Sequence, residues 1–334
     1  MGTAGAGNQQ ADVAVVIPAY NARSLLPATL ASVAAQTVQA AAVVLVDDRS
    51  ADDTTAVAAS WRDHLPLSVL RTEHNLGPGG ARHLGIASTS TSLIALLDHD
   101  DYWFPDHLEA MLACYRSAAG PVVVCGNPMV WVAGHAVAPS PMTSEPLPPG
   151  PAQLPALLRR NFVDSAVLFP RELYDRVGGF RSEFVGTDDW DLWIRMVRGG
   201  ATIRRLSHHT LLYRLSESSM SSNVPEKELR FVDQELAVLH AAAAESRSSE
   251  ERAAARRGLR RLRARKQFLL ARSFALEGRT GAARLAALRG LNGDRRSALR
   301  SAAIAVAPSA AIRWRAARQE RLRGTQATDP TLLR

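Results

Sequence analysis

Short apolar runs alternate with segments of helical periodicity along residues 12–126. Because continuous apolar strands separated by helices are buried on both faces, this alternation predicts a parallel sheet covered on both sides. The predicted strands span residues 13–17, 43–46, 67–70, 93–97 and 122–125, and the predicted helices span residues 25–36, 52–61, 79–87 and 105–115. The pattern therefore predicts an α/β fold.

Polar or glycine-rich segments follow the first four predicted strands. They span residues 18–21, 47–52, 75–82 and 98–101. In an open parallel sheet, ligands bind at the carboxyl ends of the strands, at the point where the strand order reverses. We therefore expect these four segments to contribute to one binding site.

Three acids end the fourth predicted strand. Asp98, Asp100 and Asp101 follow the apolar run 93–97 directly. Carboxylates held this close repel one another unless a cation neutralises them, and carboxylate oxygens are the preferred ligands of hard divalent cations. The cluster therefore predicts a site for Mg²⁺ or Mn²⁺. The alternative is that some of these acids cap the following helix.

The pattern changes after residue 126. Six prolines among residues 139–151 indicate a surface loop, either a connector or a lid. A strand at 165–169 and a helix at 171–177 are predicted next, and a further helix begins with the acids Asp188 and Asp189. From about residue 226, alanine, arginine and leucine predominate, which predicts helices to the end of the chain.

The charge is divided unevenly along the chain. Residues 1–250 contain 19 basic and 27 acidic residues, a net charge of −8, whereas residues 251–334 contain 21 and 5, a net charge of +16. Two cysteines in 334 residues do not make a disulfide framework, and no apolar stretch approaches the length of a membrane span. We therefore expect a cytoplasmic protein that is soluble or peripheral at the inner face of the membrane.

Five motifs stand in a fixed order along the first 220 residues. They are residues 16–21 (VIPAYN), 46–50 (VDDRS), 75–82 (NLGPGGAR), 97–101 (LDHDD), and 178–180 (GGF) followed by 188–193 (DDWDLW). In this order and at this spacing they resemble the motifs of family 2 glycosyltransferases of the GT-A fold. The resemblance implies a GT-A domain over 12–225, preceded by flexible residues 1–11, and the change in composition predicts a basic helical extension over 226–334. The domain would comprise a nucleotide-binding half, 12–126, and an acceptor half, 127–225.

The resemblance implies a nucleotide-sugar donor carrying UDP, GDP or dTDP. The residues expected to bind it are Pro18, Ala19, Tyr20, Asn21, Asp48, Asn75, Gly77, Arg82 and Asp98. Asp48 matches the position that contacts the base, with an acid-rich turn and helix cap as the alternative. Arg82 is a candidate phosphate contact, with an arginine on a solvated helix face as the alternative. The segment 75–82 lacks the third glycine of a dinucleotide fingerprint.

The metal and the general base follow from the same resemblance. Asp98 and Asp100, with Asp101 adjacent, would hold the cation that bridges the donor diphosphate. Asp189 would take the proton of the acceptor hydroxyl, which implies inversion at the anomeric carbon. Asp188 stands where the family has glutamate. The alternative for Asp189 is a charge that stabilises the helix N-terminus, and Asp191 is expected to face solvent or cap the helix.

The expected activity is the metal-dependent transfer of a single sugar to a glycan or lipid-linked acceptor, in cell-envelope polysaccharide biosynthesis. The Gln-x-x-Arg-Trp element of processive family members is absent from the sequence. After Tyr213 and Arg214 the chain lacks the histidine of many relatives, and His208 or His209 is a candidate replacement, with a structural histidine near a strand as the alternative. The alternatives are a nucleotidyltransferase and a non-catalytic nucleotide-sugar-binding protein.

The basic extension has two interpretations. Its arginine-rich helices with scattered leucines, and Trp314 among arginines, are typical of segments that lie on an anionic membrane. Alternatively, the helices pack against the catalytic domain or a second copy, with their arginines solvated or paired. No nucleic-acid reader motif accompanies the charge, so a nucleic-acid partner is not expected.

Overall fold

The computed structural model of the chain describes residues 10–132, 135–140, 142–143, 145–215, 225–292 and 295–308. Its strands are β1 Gln10–Ala19, β2 Gln39–Asp47, β3 Leu67–Arg71, β4 Leu93–Leu96, β5 Tyr102–Trp103, β6 Val122–Cys125, β7 Pro128–Val132, β8 His135–Pro139, β9 Val167–Pro170, β10 Thr202–Arg205 and β11 Leu211–Leu215. Its helices are α1 Leu26–Ala34, α2 Thr54–Ala59, α3 Gly77–Ala87, α4 His107–Arg116, α5 Gly150–Leu157, α6 Arg171–Arg176, α7 Asp188–Arg198, α8 Pro225–Ala244, α9 Ser249–Leu276, α10 Thr280–Arg289 and α11 Arg295–Val306.

The chain divides into two compact units. The first comprises residues 1–220 and 244–254, and the second comprises residues 221–243 and 255–334. The first unit contains a seven-stranded sheet in the order β10-β6-β9-β4-β1-β2-β3 and a four-stranded sheet in the order β5-β11-β7-β8. In the larger sheet β9 is antiparallel to β4 and β6, and the other neighbours are parallel. The prediction of a mostly parallel α/β sheet is confirmed.

Alternating side chains of the central strands point to opposite faces of the larger sheet. Val13, Val15 and Ile17 of β1 belong to the core cluster that includes residues of α1 and α4. On the other face α3 lies against the sheet, and a Cβ at Gly85 would come within 2.6 Å of Val16. Because a strand has a side-chain period of two, a continuous apolar run is buried on both faces.

The differences from the predicted elements lie mainly outside the parallel core. Strand β1 begins at Gln10, so the last two residues of the segment predicted to be flexible are part of a strand. The smaller sheet was not predicted from the sequence. Among the described residues of the proline-rich segment 139–151, β8 ends at Pro139 and α5 begins at Gly150, with irregular backbone between them.

The second unit is helical, as predicted for the extension. Helices α8 and α9 are joined by ion pairs, among them Lys266 to Asp233 at 2.6 Å and Arg265 to Glu235 at 2.8 Å. The core of the unit contains Phe268, Leu269 and several alanines. Part of the arginine-rich sequence is therefore paired with acids of α8. Of the helices that the structure describes, none carries an apolar stretch long enough to cross a bilayer.

Candidate active site

The loops after β1 and β2 are held together by side chains that cap their backbone. Asn21 and Arg49 both adopt positive φ values, 48° and 66°. Ser50 Oγ accepts a hydrogen bond from the Asn21 amide at 2.9 Å, and Asn21 Oδ1 accepts one from the Ala51 amide at 2.8 Å. Asparagine tolerates the left-handed region, whereas an arginine there is strained. Tyr20, which is 49% exposed, therefore stands on a firmly constrained corner of the sheet.

Asp47 and Asp48 are both buried at the end of β2, where they organise the backbone. Asp47 Oδ1 accepts from the Ser50 amide at 2.9 Å, and its Oδ2 pairs with Arg71 Nη1 at 3.1 Å. Asp48 Oδ1 accepts from Thr72 Oγ1 at 3.0 Å and from the Leu76 amide at 2.7 Å. Asp48 thus connects the ends of β2 and β3 and does not cap α2.

The glycine-rich segment begins α3 at the same edge of the sheet. The Asn75 side chain donates to the Asp48 carbonyl at 3.2 Å and accepts from the Gly77 amide at 3.2 Å. Gly77 has a φ of 73°, a conformation that favours glycine. Asp48, Asn75 and Gly77 are therefore brought together, as expected.

Arg82 is buried and connects the two halves of the site. Its Nη2 lies 2.5 Å from Asp98 Oδ1 at the end of β4, and its Nη1 lies 3.3 Å from Asp188 Oδ2 at the start of α7. Gly79 makes the approach of α7 possible, because a Cβ at that position would lie 2.6 Å from the Asp188 carboxylate. The alternative of a solvated Arg82 is wrong: the residue is only 6% exposed.

Asp98 is the acid that this guanidinium stabilises most. Burial disfavours its charged form, but the charge and hydrogen bond of Arg82, together with a hydrogen bond from Ser165 Oγ at 2.8 Å, lower the pKa of Asp98. For Asp188, burial prevails over the attraction of Arg82 and raises the pKa. One guanidinium therefore faces more carboxylates than it can neutralise.

Asp100 and Asp101 have different surroundings. Asp101 is fully buried; its Oδ1 accepts from the Arg214 amide at 3.2 Å, while its Oδ2 has no hydrogen-bond partner among the described residues. Burial and then the charge of Asp100 raise the pKa of Asp101 well above its usual value. Burial and then the charge of Asp98 raise the pKa of Asp100. The helix-cap alternative is wrong, since α4 begins only at His107.

A divalent cation fits Asp98 and Asp100 in part. Burial raises the pKa of Asp100, and repulsion by the Asp98 carboxylate raises it further, so a cation beside the two carboxylates would remove an unfavourable interaction. Within the described residues, no group of three or more His, Cys, Asp and Glu side chains forms a ready-made metal site. Two carboxylates completed by phosphate oxygens and water are a usual set of ligands for Mg²⁺.

Asp189 lies at the start of α7, beside Asp188. Its Oδ1 accepts from the Trp190 amide at 2.6 Å, and Asn161 Nδ2 approaches its Oδ2 at 3.4 Å. Burial and then the charge of Asp188 raise the pKa of Asp189 to about 7, against an opposing effect of Arg82. A carboxyl that titrates near neutral pH is suited to accept a proton. The expectation that Asp191 faces solvent or caps the helix is wrong, because Asp191 is buried and pairs with Arg195 at 2.6 Å.

Asn161, Asp164 and Ser165 also reach this edge, and they were missed in the sequence. They precede β9, and because β9 runs antiparallel to β4, its start lies at the carboxyl end of β4. Burial raises the pKa of Asp164 to about 6, with Asp98 adding to the effect. Their position directly before a predicted strand was a signal that they could line a site at the end of the sheet. The direction of that strand in the sheet, however, cannot be read from its apolar pattern.

The candidate histidines make other contacts. His208 Nε2 lies 3.2 Å from Asp106 Oδ2, and His209 Nδ1 lies 3.0 Å from the Asn127 carbonyl oxygen. Arg214 instead reaches the acidic loop: its guanidinium contacts the Asp100 carbonyl and lies 3.0 Å from Thr29 Oγ1. The positions after Leu215 at which a histidine would be expected lie outside the described residues.

Comparison with known proteins agrees with this architecture. The family model described as "Glycosyl transferase family 2" matches residues 14–177. The succinoglycan biosynthesis protein ExoO of Rhizobium meliloti (strain 1021) is 35% identical over 161 residues, which are 48% of this chain and 44% of that protein. The match thus covers less than half the length of that relative.

Two further proteins extend the comparison. The Escherichia coli protein WfgD, named UDP-Glc:alpha-D-GlcNAc-diphosphoundecaprenol beta-1,3-glucosyltransferase, is 27% identical over 217 residues, 63% of this chain and 80% of that one. The mannosyltransferase PcManGT from Pyrobaculum calidifontis, solved with GDP-Man and Mn²⁺, superposes with a TM-score of 0.60 at 17% identity, covering 92% of this chain and 80% of that one. The structural likeness establishes the GT-A fold.

Proposed function

The chain belongs to the glycosyl transferase family 2 through residues 14–177, and we propose that it transfers a single sugar from a nucleotide-sugar donor to an acceptor hydroxyl. One observation carries the proposal. A single buried guanidinium, that of Arg82, connects Asp98 at the end of β4 with Asp188, the first residue of α7. One positive charge thereby pairs with a carboxylate on the donor side of the proposed site and with a carboxylate on its acceptor side.

Asp189 acts as the general base. With a pKa of about 7, it is substantially ionised at neutral pH and still basic enough to take the proton of an attacking hydroxyl. The hydroxyl attacks the anomeric carbon while the nucleoside diphosphate leaves on the opposite side, so the configuration inverts. A single positioned base supports this displacement without a covalent enzyme intermediate. Asp188 keeps Arg82 in place and so adjusts the charge around the base.

The donor lies across the carboxyl ends of β1, β2 and β4. The constrained corner at Pro18, Ala19, Tyr20 and Asn21 supports base and ribose, and Asp48 accepts from an N–H of the base. Asn75 and Gly77 shape the beginning of α3. Arg82 acts on the diphosphate through its pairing with Asp98, because its guanidinium already contacts two carboxylates.

Asp98 and Asp100 would hold Mg²⁺ or Mn²⁺, which supplies charge neutralisation to the departing diphosphate when bound. Asp101 is less suited to bind the cation, because its carboxylate is buried beside Arg214. Two of the similar proteins support this assignment: one is named as a UDP-glucose enzyme with a diphosphoundecaprenol acceptor, and the other was solved with GDP-Man and Mn²⁺. We propose a UDP-, GDP- or dTDP-sugar donor and a glycan or lipid-linked acceptor of polysaccharide biosynthesis.

The test begins with donor binding. A thermal-shift panel of UDP-, GDP- and dTDP-sugars with and without Mn²⁺ measures which donor stabilises the folded protein, since a ligand that binds only the native state raises its melting temperature. We expect one nucleotide to give a Mn²⁺-dependent shift. The donor so identified is then used with a radiolabelled sugar to measure its transfer and its hydrolysis.

Two variants separate binding from chemistry. Asp100→Asn should abolish the Mn²⁺-dependent shift, whereas Asp189→Asn should retain the shift and lose turnover by roughly 10²–10⁴-fold. Asp106→Asn, a change to a half-exposed acid before α4, serves as the matched control and should change neither. Undiminished turnover by Asp189→Asn would contradict the proposed base, and release of pyrophosphate would identify a nucleotidyltransferase instead.

A further inference from the structure

Helix α10 of the second unit packs with its small side chains inward and its large ones outward. Ala283, Ala286 and Ala287 are at most 5% exposed, whereas Leu285 and Leu288 are 52% and 55% exposed. The two leucines are three residues apart, so they lie on the same face of the helix. A helix that is apolar on both faces requires two apolar environments, and the core of the unit provides only one.

Exposure of this kind is concentrated in one part of the chain. Of the nine large hydrophobic side chains that are exposed among the described residues, six lie between residues 276 and 306. These are Leu276, Leu285, Leu288, Leu291, Leu299 and Val306. Before its last residue, Leu276, helix α9 shows the opposite behaviour, since Leu259, Leu262 and Leu269 are all buried. The exposure of leucine is therefore specific to the end of the unit and is not a general property of its helices.

Arginines accompany the exposed leucines. Arg284 and Arg289 of α10 are both exposed, and the first turn of the helix contains no acid. By sequence, residues 279–306 contain six arginines and a single acid, Asp294. The surface formed by Arg284, Leu285, Leu288, Arg289 and Leu291, here called the leucine–arginine surface, therefore combines apolar area with positive charge.

We propose that the leucine–arginine surface docks onto the face of an anionic lipid bilayer. Such a bilayer offers phosphates to the arginines and an acyl boundary to the leucines in the same place. A second copy would oppose arginine with arginine, and the last residues of the chain, 309–334, are themselves basic by sequence. A nucleic acid would neutralise the arginines but provide no apolar environment for the leucines. Charge complementarity thus selects the bilayer.

The docking is shallow. Arginines flank the leucines along the helix, so insertion is limited to the boundary between headgroups and acyl chains. The proposal does not depend on the proposed function: it concerns the second unit alone and is measured without a donor or an acceptor.

The experiment measures binding of the full-length protein to vesicles by flotation. Vesicles of equal parts phosphatidylglycerol and phosphatidylcholine are compared with vesicles of phosphatidylcholine alone. We expect the partition coefficient to be roughly tenfold or more higher on the anionic vesicles and to fall as salt is added. Leu285→Gln with Leu288→Gln should lower it about tenfold or more. The melting temperature should be unchanged, since both side chains are already half exposed.

Two double charge reversals test whether binding depends on the leucine–arginine surface or only on the net charge of the protein. Arg284→Glu with Arg289→Glu should lower the partition coefficient about tenfold or more. Arg62→Glu with Arg116→Glu changes the net charge equally at exposed positions of the first unit and should leave binding within about twofold. The proposal is overturned if both pairs reduce binding equally, if the leucine variant binds as the parent does, or if neither vesicle is bound. It is also overturned if sedimentation shows that the leucine variant dissociates a dimer while vesicle binding is unchanged.

Discussion

The raised pKa of Asp189 has a consequence for stability that is separate from its effect on activity. The unfolded chain binds a proton at this carboxyl only below about pH 4, whereas the folded protein binds it up to about pH 7. Between these values the folded state holds the additional proton, so the stabilising contribution of that proton is lost as the pH rises. Above pH 7 the folded protein carries the full cost of an ionised, poorly neutralised carboxylate.

The magnitude follows from the shift. A rise from 3.8 to about 7 corresponds to about 4 kcal/mol at full effect. Because the Asp189 side chain is partly exposed, solvent screens part of this cost, and we take about 2 kcal/mol as the expected value. Asp189→Asn removes the charge and keeps the shape. The variant should therefore be more stable than the parent by about 2 kcal/mol at pH 8.5, with the difference shrinking toward pH 4.

Urea denaturation of parent and variant at several pH values between 5 and 8.5 measures this difference. Taking the difference cancels the titration of other groups, including Asp164, whose pKa is about 6. Asp191→Asn is the matched control on the same helix. Its carboxylate pairs with the buried Arg195, so its loss should destabilise the protein by about 1–3 kcal/mol. Parallel stability curves for Asp189→Asn and the parent would refute the raised pKa.

Three further outcomes are expected. Asn161→Ala withdraws a hydrogen bond from the Asp189 carboxylate, so the acid limb of the kcat/KM profile should move to higher pH by roughly half a unit to one unit. Gly79→Ala places a Cβ 2.6 Å from a carboxylate of α7 and should lower the free energy of unfolding by about 1–3 kcal/mol, whereas Gly281→Ala, with open space around it, should be neutral or slightly stabilising in the same denaturation assay. Isothermal titration of Asp100→Asn with Mn²⁺ in the presence of the donor nucleotide should show no heat of metal binding above that of Mn²⁺ added to the nucleotide alone.

The sequence was sufficient to predict the parallel part of the fold and the edge at which the polar residues meet. The runs 13–17, 43–46 and 93–97 are continuously apolar, and such runs are buried on both faces. In a parallel sheet their carboxyl ends must lie together. The apolar pattern therefore predicts that Asp48 and Asp98 lie at the same edge, and both residues follow the carboxyl ends of parallel strands on either side of β1.

The contacts of Arg82 could not be predicted in the same way. Its two partners are 16 and 106 residues away in the chain, and a helical position one turn after a glycine-rich segment gives no sign of burial. The antiparallel direction of β9 was equally hidden, because an apolar run has no polarity. Asn161 and Ser165, which reach the site only because of that direction, were consequently missed.

Asp188, where the resemblance implies a glutamate, keeps its contact with the arginine that faces it. An aspartate reaches less far than a glutamate, yet its Oδ2 still lies 3.3 Å from Arg82 Nη1. The shorter side chain still reaches Arg82 because Gly79 has no Cβ. The start of α7 can therefore approach α3, and the Asp188 carboxylate occupies the space that a Cβ at Gly79 would fill. The shorter acid and the glycine compensate for each other. Arg82 therefore remains shared between Asp98 and the start of the helix that carries Asp189. Burial and then the charge of Asp188 raise the pKa of Asp189 to about 7, and the shared guanidinium opposes this rise without cancelling it.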